Sequence, residues 1–112
     1  MNCCYDMRIE VTGFRKNRLS KIEEACVEEW QFEDDAFEVS TIARKQRLRG
    51  NGECTLCGGE TEDEFTDRLA AAIWKANGKY CEVEVQALCL EEPPYEQHIR
   101  DEDDYDEWRK AA

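Results

Sequence analysis

The stretch Thr61–Leu90, TEDEFTDRLAAAIWKANGKYCEVEVQALCL, holds one helix and one strand with a clear stop between them, and the rest of the chain is read around it. Thr61 followed three residues later by Glu64 is a capping box, in which the hydroxyl accepts from the Glu64 N–H and the Glu64 carboxylate accepts from the Thr61 N–H. Glu62, Asp63 and Glu64 together oppose the positive end of the helix dipole. Phe65, Leu69, Ile73 and Ala76 then recur at helical spacing, and Gly78 after Asn77 supplies a left-handed stop. Beyond it the period changes to two. Cys81, Val83, Val85, Ala87 and Cys89 share one face and Glu82, Glu84 and Gln86 the other, which predicts a half-buried strand that Pro93 and Pro94 end.

The N-terminal half also alternates strand and helix signals, with no internal repeat. Tyr5, Met7, Ile9 and Val11 alternate with Asp6, Arg8, Glu10 and Thr12 in a strand closed by Gly13. Leu19, Ile22, Cys26 and Trp30 predict a helix over 17–30, capped by Asn17 or Ser20. An extended segment over 37–43 follows, with Phe37, Val39, Thr41 and Ala43 on one face. ARKQRLRGNGECTLC, residues 43–57, reads as a hairpin that reverses at Gly50-Asn51-Gly52, since glycine adopts the positive φ of a tight turn. The element order β-α-β-β-α-β predicts an α+β, ferredoxin-like fold: a four-stranded antiparallel sheet of order 4-1-3-2 with two helices on one face. It occupies 1–92, and 93–112 are expected to form an acidic C-terminal tail.

Three stretches together resemble a known family: NCCYDMRIEVTGF (2–14), LCGGETEDEFTDRLAAAIWKANGKYCEVEVQA (56–87) and LEEPPYEQHIRDEDDYDEW (90–108). They are similar to the small ferredoxin-like domain of uncharacterised proteins from phages, plasmids and integrated elements of proteobacteria. The resemblance implies the fold and a mobile-element context. It brings no catalytic residues with it.

Charge bounds the partners. With 27 acidic against 15 basic side chains, the net charge of −12 repels nucleic acid and favours basic proteins. No apolar run reaches the roughly 18 residues of a membrane span, so the expected location is the cytoplasm of a bacterial host, with no membrane partner. Seven cysteines, an odd number without a leader, fit reduced thiols rather than a disulfide framework.

Cys54 and Cys57 supply half of a zinc site, and no second CxxC completes it. The topology brings Cys3, Cys4, Cys57 and Cys89 to one edge of the sheet, so these four are the set to examine if zinc is bound. The preferred reading is packing without metal or other cofactor, because Cys26, Cys81 and Cys89 lie on apolar faces. His98, the sole histidine, is expected to be exposed among charged residues. Arg44, Lys45, Arg47 and Arg49 are read as cations on an edge strand that discourage aggregation, or as partners of the acidic tail.

No phosphate loop or nucleophile–base motif stands out, so an enzyme is not expected. In the tail, Glu96, Asp101, Asp103, Asp104 and Asp106 space carboxylates as a phosphate backbone spaces charge, and Tyr105 and Trp108 offer anchors for a partner. The function expected is that of a non-enzymatic inhibitor or nucleic-acid mimic, an anti-CRISPR for example, occupying a basic surface of a host protein. The alternative is a small structural or metal-stabilised accessory domain using the cysteine cluster. Nothing in the sequence fixes the oligomeric state.

Overall fold

A computed structural model describes residues 4–30, 32, 37–55, 60–89 and 92–111. The chain is α+β. Its strands are β1 (Cys4–Thr12), β2 (Glu38–Ile42), β3 (Lys45–Thr55), β4 (Glu82–Cys89) and β5 (Glu92–Arg100), and its helices α1 (Leu19–Glu29), α2 (Glu62–Asn77) and α3 (Glu102–Ala111). All strand pairs are antiparallel, in the order β2-β3-β1-β4-β5. The expected plan of four strands and two helices is therefore one strand and one helix short. Residues read as a solvated tail extend the sheet and add a helix against α2 and β5.

Pro93 and Pro94 fall inside β5 instead of ending the sheet. An edge strand or a bulge tolerates residues that donate no backbone hydrogen bond; β5 is one edge of the sheet, and its pairing with β4 shifts register between Ala87 and Cys89.

The α2 signals act as read. Thr61 Oγ1 accepts from the Glu64 N–H and Glu64 Oε1 from the Thr61 N–H, both at 3.1 Å, and Gly78 ends the helix at φ 80°. Helix α1 differs from expectation, since a 3-10 turn over Lys16–Arg18 precedes it and neither Asn17 nor Ser20 caps it.

The hairpin also turns elsewhere. The reversal lies at Ala43-Arg44, with φ of 50° and 68°, which is the sign both central residues of a two-residue hairpin loop adopt. Gly50-Asn51-Gly52 instead runs straight through β3. A Cβ on Gly50 would stand 2.8 Å from the ring of Phe37, and the carbonyl of Gly52 accepts from Trp30 Nε1 at 2.8 Å. These glycines admit aromatic neighbours rather than reverse the chain.

The core lies between one face of the sheet and helices α1 and α2. Met7, Ile9, Val11, Leu48, Val83, Val85 and Ala87 meet Ile22, Cys26, Phe65, Leu69 and Ile73 there. At about 25 cal/mol per Å², each fully buried side chain of this size contributes about 1.5–3 kcal/mol. Trp30 packs edge-on against Phe65, with centroids 4.9 Å apart. Arg68 bridges the helices, 2.5 Å from Glu29 and 2.9 Å from Glu60. On the opposite face, Arg47 and Arg49 both reach Glu10, at 2.8 and 3.6 Å. Lys45, Arg47 and Arg49 thus sit on β3, inside the sheet rather than at its edge, with Arg44 at the turn before it, and Glu10 of β1 answers Arg47 and Arg49.

A candidate acidic interface on the second and third helices

Helix α3 starts with carboxylates in two different roles. Asp101 and Asp104 cap it reciprocally: the Asp101 N–H donates to Asp104 Oδ2 at 3.0 Å, and the Asp104 N–H donates to Asp101 Oδ1 at 3.2 Å. Both are therefore structural, with charge to present besides. Glu102, Asp103 and Glu107 are exposed and Asp106 half-buried. Arg109 and Lys110 sit in the last turn, where the helix dipole favours cations.

The aromatics of the tail are read as docking it on the domain or on a partner, with Tyr105 and Trp108 preferred as partner anchors; in the structure they face inward. Their rings lie 5.3 and 5.6 Å from that of Trp74, which is itself buried and donates from Nε1 to the Cys81 carbonyl at 2.7 Å. The aromatics hold α3 onto the domain. That leaves the acids on a rigid support.

Strand β5 and α2 supply the rest. Because Val85 pairs with His98 and Val83 with Arg100, both side chains project on the helix side of the sheet. Arg100 Nε lies 2.7 Å from Asp67 Oδ1, and Arg100 Nη2 3.3 Å from Asp63 Oδ1. Hydrogen bonds from Arg100 and then His98 hold the Asp63 carboxyl below the usual carboxylate range. Asp67, Asp104, Glu107, Arg100, Trp74 and Trp108 line one cleft between the elements. Asp67 of α2 and Asp104 and Glu107 of α3 thus share one cleft, with Arg100 at the seam.

His98 departs from its expected exposure. Its side chain is only 13% exposed, set between Glu62 (Nε2 to Oε1, 2.9 Å) and Asp63 (Nδ1 to Oδ1, 3.1 Å). Glu96, two residues earlier on β5, is exposed on the same side. Sequence reasoning passed over Glu62, Asp63, Asp67, His98 and Arg100 as a group. The signal was the alternation of Glu96, His98 and Arg100 with Gln97 and Ile99, which the surrounding acids obscured.

Of the cysteines, Cys26 and Cys81 are free and buried. Burial pushes each thiol up to about 12, so both stay protonated and pack as small apolar groups. Of the proposed zinc set, Cys3 and Cys57 lie outside the described residues. The strand pairing sets Cys54 and Cys89 on either side of Tyr5, next to Cys4. Among the described residues no helix is long and apolar enough to cross a membrane. Comparison with protein-family models, curated proteins and solved structures gives no match.

Proposed function

We propose that this chain is a non-enzymatic acidic binding protein with a ferredoxin-like core, which occupies a basic, nucleic-acid-binding surface of another protein. The observation that supports it is the fixing of Asp63, Asp67, Asp103, Asp104, Asp106 and Glu107 on two packed helices. Charge held on a rigid scaffold steers a basic partner and loses little entropy on docking, whereas a solvated tail would lose much. The net charge of −12 adds a long-range field of the same sign. In a mobile element such a protein acts as a nucleic-acid mimic inside the bacterial cytoplasm, and inhibition of a defence nuclease, as by an anti-CRISPR, is the concrete case.

The test is competition. The chain is immobilised, basic proteins of a proteobacterial lysate are bound at low salt, and each captured protein is challenged with its own labelled nucleic acid. The reading expects mutual exclusion that weakens as salt rises. A partner that binds chain and nucleic acid simultaneously, or whose binding ignores salt, would contradict it.

A further inference from the structure

We propose that Glu62, Glu96 and His98 form a binding site for a divalent first-row metal ion of the zinc or manganese type. Two of the three come from one strand. Glu96 and His98 stand opposite Ala87 and Val85 in the β4–β5 pairing, so both project toward the helices, where the first turn of α2 presents Glu62. One ligand atom from each residue lies within 4.8 Å of the others. Ligands about 2.0–2.2 Å from a single ion stand at most about 4.4 Å apart. The three atoms thus already stand near that span, and the exposed Glu96 carboxylate is free to adjust to an ion.

The imidazole is also set up for coordination. Nε2 faces Glu62 at 2.9 Å, while Nδ1 faces Asp63 at 3.1 Å on the other side of the ring. An outer carboxylate on Nδ1–H is the arrangement that fixes a metal-binding histidine, because it selects the tautomer whose Nε2 lone pair points at the ion. Asp63 is in turn held by Arg100 at 3.3 Å. Two carboxylates and a neutral imidazole offset a divalent charge, and a mixed N,O,O set suits zinc and manganese. Three protein ligands leave a position for water. The bound ion would clamp β5, and with it α3, onto α2.

The experiment uses the 112-residue chain labelled with nitrogen-15. His98 is the sole histidine, so its ring signals are unambiguous. One equivalent of zinc chloride is expected to shift the Nε2 resonance and raise the thermal midpoint, and manganese chloride to broaden signals around His98. Asp63→Asn should weaken binding by about 10–100-fold. Glu96→Gln should abolish it while leaving the metal-free midpoint unchanged, which separates loss of a ligand from loss of fold. An imidazole unmoved by zinc, including the case in which zinc goes to cysteines alone, would overturn the site. So would a Glu96→Gln chain that binds as tightly as the parent.

Discussion

The ring of Trp108 rests on that of Trp74, centroids 5.6 Å apart and planes inclined at 47°, so α3 is fastened to the last turn of α2. Trp108→Ala is therefore expected to destabilise the fold by about 1–3 kcal/mol, the usual range for losing a packed side chain. A urea titration reads this directly. A midpoint equal to the parent's would show that α3 does not depend on this contact.

Gly50 gives a second check on packing. Because an added Cβ would meet the Phe37 ring at 2.8 Å, Gly50→Ala should cost about 1–3 kcal/mol, typical of overpacking. Phe37→Ala on its own loses a half-buried ring, but in the double variant it should remove most of the Gly50→Ala penalty. Additive losses in that cycle would place the strain elsewhere.

The cap of α2 predicts a smaller effect. Thr61→Ala removes the acceptor for the Glu64 N–H and should cost about 1 kcal/mol. Chemical denaturation of the two proteins checks it.

How much of this was legible depends on how local each signal is. The α2 cap, its stop at Gly78 and the alternation of β1 and β4 are decided by neighbours within a few residues, and they stand where the sequence puts them. The Gly50-Asn51-Gly52 turn failed because its glycines respond to Phe37 and Trp30, tertiary neighbours that no local pattern shows. Strand β5 failed for a related reason: Pro93, Pro94 and the acids after them suit an edge strand and a capped helix as well as a tail. Tyr105 and Trp108 read as anchors, and the surface they grip is the chain's own Trp74.

The buried thiols give a pH prediction. Cys26 and Cys81 are raised to about 12 in the fold, above their ordinary value of 9.0, so the unfolded chain sheds these protons first as pH rises. Their contribution is present in full below pH 9.0 and is lost toward about 12, so stability should fall across that window. Cys26→Ala/Cys81→Ala should flatten this alkaline loss, at some cost at neutral pH. Denaturation midpoints measured across the window check it, and an equal slope in both proteins would assign the loss to other groups.

In the proposed function the acids of α2 and α3 act through charge. Asp101 and Asp104 are poor probes, because replacing them also uncaps α3. The direct measurement is the association rate of Asp103→Asn/Asp106→Asn/Glu107→Gln with a captured basic partner, at several salt concentrations and beside the parent chain. Association should be slower by about tenfold or more at low salt, the two proteins should converge at high salt as charges are screened, and dissociation should change far less. An association rate equal to the parent's at low salt would contradict it.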